Sequence, residues 1–306
     1  MRGRIITAQG AVYALPELIR WRICRTGGVP CDSFEAVCLY RPEMAEVLDA
    51  ACRFEATEDG RVCLRGVIDE WSAELSGDGR LLTLAGRGLA ALLLDSDTEA
   101  AVYQWAGAQE IVRRYVTPSG VVCELPEGRY GTGQLRVSAG ASRWKAVESF
   151  CARCALEAVF TAEGVLRLVP RGAFGQRALG VGAGLIEARW RDRRYGVLSA
   201  VTAISSSTGA RVRAVNEAFL ARGGQCERVL YGKDAGLDAA RERLAASRAG
   251  KRELVLVLAG ARAVEPRERV TVSLAALGIA GAFRVSEVVR TLDARGERTE
   301  ITLWEE

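Results

Sequence analysis

Cys151-Ala152-Arg153-Cys154 sets two soft ligands close together, and a CxxC of this kind serves either zinc or disulfide exchange. Zinc needs two more ligands, yet there is no second CxxC and the 306 residues include no histidine. Disulfide exchange wants the pair at the N-terminus of a helix that follows a strand. Here the spacing of Trp144, Val147, Phe150, Cys151 and Cys154 makes one helical stripe, with the cysteines near its end. Both thiols are expected to pack in a core.

The missing histidine reaches further. It excludes Ser-His-Asp and Cys-His nucleophiles, imidazole acid/base work and the usual catalytic zinc sites. Carboxylates, lysine and tyrosine then carry any enzyme hypothesis. The acid pairs Asp69/Glu70 and Asp95/Asp97 have the residue types for cutting a glycosidic bond, but they fall at strand ends and turns, where solvated carboxylates are ordinary. Gly180-Val181-Gly182-Ala183-Gly184 lacks the GxGxxG spacing and the following helix of a dinucleotide fingerprint. Gly232-Lys233-Asp234 lacks the upstream glycine and the Ser/Thr of a P-loop, so both stretches read as turns. Arg189, Arg191, Arg193 and Arg194, interleaved with Trp190 and Tyr195, have the makings of a single-strand nucleic-acid platform. A solvated or subunit-interface strand accounts for them as well. No catalytic, cofactor-binding or metal residue is assigned, and no cofactor is expected.

Composition frames these motifs. Nearly half the residues are apolar, which suits two or three domains with real cores. The net charge of +4 is mild and mixed along the chain, unlike a nucleic-acid signature. Only Lys145, Lys233 and Lys251 are lysines; arginine carries the rest, as a GC-rich genome would encode. The first ten residues contain no apolar h-region, and the apolar runs 89–94 and 254–261 are too short to cross a bilayer. Synthesis and folding in a cytosol are expected, without a membrane anchor. The nine cysteines, an odd number, are then expected as mostly reduced thiols.

The elements that must position these residues are mainly strands. Residues 18–24 and 34–40 are short apolar, β-branched runs bracketed by Gly27-Gly28 and Pro30. Runs 51–56 and 61–68 flank Glu58-Asp59-Gly60, and Asp-Gly between two such runs predicts a hairpin, because both turn residues must reach positive φ. A second hairpin is predicted from 67–75, Ser76-Gly77-Asp78-Gly79 and 80–85, closed by a short helix over 86–94. Beyond Asp95 the character changes. Trp105, Ala108, Ile111, Val112 and Tyr115 predict a helix over 104–116, stopped by Pro118 and Gly120. Ser142 predicts an N-cap for the Cys151 helix, and 156–161 with 165–170 a hairpin turning at Glu163-Gly164. Strands follow at 184–190, 197–205 and 211–214. A helix over 234–248 should bury Leu237, Ala240 and Leu244, with Arg248 in its last turn and Gly250 beyond. Four more strands are predicted at 253–258, 269–274, 282–292 and 298–304.

The two β-rich ends resemble one another. Gly60 to Ile68 aligns with Gly281 to Val289, placing Leu64, Val67 and Ile68 on Val285, Val288 and Val289. Each run passes a glycine turn, at Gly79 or Gly296, into a strand holding Thr83-Leu84 or Thr302-Leu303. The fold expected is α+β and predominantly β, with two small barrels or sandwiches flanking a middle α/β domain.

Leu64-Arg65-Gly66-Val67-Ile68-Asp69-Glu70-Trp71, followed by Gly79-Arg80-Leu81-Leu82-Thr83-Leu84-Ala85-Gly86-Arg87, resembles the first-domain hairpin of phage tail hub proteins. That group comprises the late-control and tail-protein hubs of contractile phages and similar hubs of prophages in Gram-positive bacteria. Residues 239–251 resemble the helix that precedes the last strands of that family. Residues 252–257, Pro266, 270–272, Gly278-Ile279-Ala280-Gly281 and 283–289 follow in the family's order, and 293–303 is similar to its closing hairpin. Stretches 125–139 and 214–228 do not match.

The resemblance implies two tail-tube-like β-domains, at 1–96 and 177–306, around a small α/β domain at 97–176. It implies a homotrimer, whose six β-domains form a ring that adapts a sixfold tail tube to a threefold central spike. The implied partners are the tube protein, the spike and other baseplate proteins, with DNA only as passing cargo. The implied location is the tail baseplate of a virion or phage-like particle assembled in the bacterial cytoplasm. Two other classes remain open from the residues: a nucleic-acid-binding protein with OB-like barrels, and a carboxylate-dependent cell-wall hydrolase.

Overall fold

The computed structural model describes residues 1–306 apart from 28–30, 78, 181, 183, 234 and 306. The turn residues Gly28, Pro30 and Asp78, the loop residues Val181 and Ala183, and Asp234 thus lie outside the described residues. Strands take 52% of the chain and helices 18%, which makes the fold α+β and predominantly β. The sheets stay open; no closed barrel forms among the described residues.

In chain order the strands and helices begin β1 (Arg2–Thr7), β2 (Val12–Ala14), β3 (Leu18–Thr26), β4 (Ser33–Leu39), α1 (Ala45–Ala50), β5 (Ala51–Glu58), β6 (Arg61–Ser76), β7 (Gly79–Gly88) and α2 (Ala91–Leu94). They continue with β8 (Ala101–Gly107), α3 (Ala108–Ile111), β9 (Cys123–Glu124), β10 (Gly131–Val137), α4 (Arg143–Arg153), β11 (Leu156–Phe160) and β12 (Leu166–Pro170). Next come β13 (Gln176–Ala178), β14 (Leu185–Asp192), β15 (Ala200–Ser205), β16 (Arg211–Val215), α5 (Glu217–Leu220), β17 (Glu227–Gly232) and α6 (Leu237–Arg248). The chain closes with β18 (Arg252–Ala259), β19 (Arg269–Leu274), β20 (Ile279–Asp293) and β21 (Gly296–Glu305).

Two compact units result, one of 1–175, 258–268 and 286–300, the other of 176–257, 269–285 and 301–306. In the first, strands run in the order β3-β4-β7-β6-β5-β1-β2. The Asp59-Gly60 turn forms as its chemistry requires, with φ of 49° and 77°. The two hairpins predicted from 51–85 share one unbroken strand, β6. β7 alternates strictly, sending Leu82, Leu84 and Gly86 inward beside Phe34, Phe54 and Leu64, while Leu48 of α1 packs against the same cluster. Residues 86–88 extend β7 instead of opening a helix, so α2 is a single turn.

Within the first unit, the 97–175 stretch forms a second hydrophobic cluster together with Leu93 of α2. Ser142 caps α4, its Oγ accepting from the Lys145 amide at 3.1 Å, and Trp144, Val147, Phe150 and Cys151 face inward against Leu156, Leu166 and Leu168. The expected helix over 104–116 is mostly absent: 101–107 is strand β8, paired antiparallel with β10, and only 108–111 is α-helical before a π-type turn. Trp105 therefore stands on a strand, 68% exposed. A 3₁₀ turn over 117–119 follows the π-type turn, and Gly120, at φ 70°, ends it.

Later in the chain the strands run in the order β14-β18-β21-β20-β19-β13, with 287–292 of β20 also pairing β3, and the second unit adds a small sheet, β16-β15-β17. α6 packs Ala240 and Leu244 against Val201, Ala203 and Ala214 of that sheet. Leu237, predicted to be buried, is 37% exposed at the first helical position, before the apolar stripe meets the sheet.

The sequence repeat has a topological counterpart. In the first unit β4, β5, β6 and β7 lie in the order 5-6-7-4; later in the chain β18, β19, β20 and β21 lie in the order 19-20-21-18. Each set is three consecutive strands whose last one pairs with the strand that came before them. The central hairpins match in length, 16 and 10 residues against 15 and 10.

Candidate functional site

The CxxC lies where its stripe put it. Cys151 is 2% exposed in the core of the middle stretch, and burial, with smaller contributions from Cys154 and Cys123, pushes its thiol up to about 12. Cys154, at the C-cap of α4, is also raised by burial. Such thiols are poor nucleophiles and reluctant ligands. All nine cysteines are unpaired, and among the described residues no three Cys, Asp or Glu side chains converge as a metal-holding group.

The acid pairs are rearranged by a single arginine. β6 carries an extra residue between Ile68 and Glu70, opposite Gly86 and Ala85, and this bulge turns Asp69 toward Arg87. Arg87 donates to Asp69 from Nε (2.8 Å) and Nη2 (2.9 Å), and to Asp95 from Nη1 (3.0 Å) and Nη2 (2.7 Å). Both carboxylates are thus held by one guanidinium, and its hydrogen bonds keep Asp95 below the usual carboxylate range. Asp95 is thereby a poor general acid near neutral pH. Sequence spacing grouped Asp69 with Glu70 and Asp95 with Asp97; the fold joins Asp69 to Asp95. Arg87 was not singled out, and nothing short of the bulge would have signalled it.

The arginine-rich strand is largely neutralised. Arg193 reaches Glu253 at 3.2 Å, Arg191 reaches it at 3.9 Å and Arg189 pairs with Glu187 at 3.2 Å. Arg252 lies 5.2 Å from the Trp190 ring centre, and the edge of Phe283 meets the same ring. That leaves Trp190 little free face for a base to stack on. Tyr195 stays open, 94% exposed. Of the glycine-rich stretch, Gly180, Gly182 and Gly184 are described and precede β14, so no helix follows them.

Other charges sequence reasoning passed over are structural. Glu55 is fully buried on β5 and bonded by Arg65 (Nε to Oε2, 2.8 Å) and by Arg4. Arg25 joins Asp32 at 3.2 Å, the Phe160 carbonyl at 3.3 Å and Glu265. Arg290 donates to Glu58 at 2.8 Å and to Glu297. Each bonded cluster joins segments distant in sequence.

Several of the large apolar side chains that stay exposed lie on strands that lack a neighbour on one side among the described residues. Among the described residues β2 ends its sheet and exposes Val12 and Tyr13; β8, paired with β10 alone, exposes Val102 and Trp105; β17, paired with β15 alone, exposes Val229 and Tyr231. Edge strands with large apolar side chains pair with another chain unless something covers them.

This architecture has known counterparts. The tail protein from Neisseria meningitidis MC58 superposes with a TM-score of 0.78 at 18% identity, covering 100% of this chain and 96% of that one. The fold is that of phage tail proteins. The 43 kDa tail protein of prophage MuSo2 from Shewanella oneidensis gives 0.79 at 13% identity, covering 99% and 96%. The E. coli c3393 protein, a component of the type VI secretion system described as structurally similar to T4 tail proteins gp27 and gp5, gives 0.55 at 12%, covering 95% and 74%. No protein-family model and no curated protein sequence matches the chain. The tail-protein fold thus persists here at identities too low for sequence matching alone. No helix among the described residues is long and apolar enough to cross a membrane.

Proposed function

We propose that this chain is a structural, non-enzymatic baseplate hub of a phage or phage-like contractile tail. Three copies form a ring, and each supplies two related β-modules, 1–96 and 177–306, around a middle α/β module at 97–176. Six modules in a threefold assembly meet a sixfold tail tube on one face and a threefold spike on the other. Tube, spike and other baseplate proteins are its partners, DNA passes through as cargo, and the particle is assembled in the bacterial cytoplasm.

The observation that carries this reading is the repeated strand order, 5-6-7-4 and 19-20-21-18, within a chain of tail-protein fold. A symmetry mismatch between six and three is removed when one subunit presents two similar surfaces. The apolar side chains on β2, β8 and β17 give such a ring unsatisfied edges to bury.

Native mass spectrometry of the chain alone and mixed with its tube protein tests the reading. A mass of three subunits is expected. A chain that stays monomeric with the tube protein present, at concentrations where tubes form, refutes it.

A further inference from the structure

The second unit contains a cleft of about 460 Å³ on which the proposed tail role does not rest. Its floor is apolar: Val197, Ala218, Phe219, Ala245 and Ala249. The Phe219 ring is seated against Gly224, where even a methyl group would not fit. Gly250, at φ 64°, lets the chain after α6 lie against Trp304, which places Lys251 at the rim.

Charge distinguishes this rim. Arg194, Arg222, Arg248, Lys251 and Arg252 line the cleft, against Asp192 and Glu305. Asp192 is bonded by Arg222 and approached by Arg194 at 3.9 Å, and Glu305 is paired with Arg252. Among the described lining residues, five cations stand against two carboxylates. Arg248 and Lys251 have no carboxylate partner among the described residues. Part of their charge offsets the carbonyl end of α6, about half an elementary charge. The remainder faces the cleft.

We infer that this cleft binds a short acidic segment of a partner protein, with carboxylates on Arg248 and Lys251 and an apolar side chain against Phe219 and Ala245. A peptide is favoured over a nucleic acid by the floor: it offers aliphatic surface, and its one ring already packs on Gly224, whereas single strands need open aromatic faces. The volume suits a few side chains. The inference stands apart from the hub reading, and a monomer would carry the same cleft.

Fluorescence anisotropy with a labelled peptide of alternating glutamate and leucine tests it, beside the glutamine isostere, oligothymidine and inorganic phosphate as competitors. The glutamate peptide is expected to bind about tenfold more tightly than the isostere, a difference of about 1.4 kcal/mol. Arg248→Glu with Lys251→Glu should abolish that preference, while Arg211→Glu with Arg243→Glu, the same charge change outside the cleft, should leave most of it. Ala245→Trp, which fills the floor without altering charge, should also abolish binding, and melting curves verify that each variant folds. Equal affinity for the isostere, or unchanged binding by both cleft variants, overturns the inference. So does displacement of the peptide by oligothymidine or phosphate at lower concentration than by unlabelled peptide.

Discussion

Gly86→Ala should be among the most damaging single-methyl changes in the first unit. Gly86 sits on β7 with its α-carbon against the Phe34 ring and the backbone of β6. A β-carbon there would fall within the van der Waals envelope of the Val67 carbonyl oxygen and 2.8 Å from Phe34 Cε1 and Cζ. Carbon atoms pack comfortably at about 3.5–4.0 Å, so something must move by close to an ångström. Phe34 cannot retreat, because it is stacked on Phe54 with centroids 4.4 Å apart, and both rings are buried. The β6–β7 ladder must then open next to the Asp69 bulge. Overpacking costs about 1–3 kcal/mol and each ladder bond lost about 1 kcal/mol, giving about 3 kcal/mol in total. For a unit of this size that lowers Tm by about 6–12 °C. Calorimetry of the variant measures it, with Gly133→Ala as control: there the nearest atom, the Gln104 carbonyl oxygen, is 3.5 Å away, and Tm should hold or rise slightly. A Gly86→Ala protein melting with the parent, with unchanged amide-exchange protection along β6 and β7, would show that the packing argument is wrong.

Phe150→Ala removes a fully buried ring from the middle stretch and should cost about 3–5 kcal/mol in denaturant titrations; a loss below 1 kcal/mol would place that core elsewhere. Cys24, Cys38 and Cys151, whose thiols burial pushes up to about 12, about 11 and about 12, should resist iodoacetamide near pH 8 until the chain unfolds. Peptide mapping that finds them alkylated in the native protein would contradict their burial. The Arg87 bonds hold Asp95 below its ordinary range, so their stabilisation is complete above that range and is lost as pH falls through the depressed value. Because Asp95 is more than half exposed, the effect stays under about 1 kcal/mol. Arg87→Gln should therefore lower the urea midpoint near pH 6 and leave it close to the parent's near pH 2; equal differences at both would exclude the linkage. Tyr13→Glu and Tyr231→Glu should reduce oligomer mass while preserving Tm, since both side chains are exposed; a Tm loss without a mass change would make them packing residues.

Much of the fold was legible because local chemistry and global pairing agreed. Asp59-Gly60 demanded a turn with two positive φ values and lies between strands that pair with each other; Ser142 capped a helix whose stripe had a sheet to meet. Where they disagreed, the distant partner won. Residues 104–116 carry apolar side chains at helical spacing, yet 101–107 pairs with 131–137, in a stretch whose pattern matched nothing, and Gly131 leaves room for the Trp105 ring to lie against the strand. No window of sequence contains that pairing. The Asp69 bulge shows the same limit at the scale of one residue. Spacing along the chain grouped it with Glu70, but an extra residue in β6 turns it to Arg87 and so to Asp95. What the sequence held was the recurrence of a hairpin, and what it could not hold was the neighbour on each side of it. Those neighbours, β4 and β5 in one case and β18 and β19 in the other, are what turn a similarity between two hairpins into a repeated four-strand order. A hairpin offers a ring no defined edge; a four-stranded unit of fixed order offers the same edges twice. In the proposed trimer, the repeated order, more than the repeated motif, is what would let three subunits present six alike surfaces.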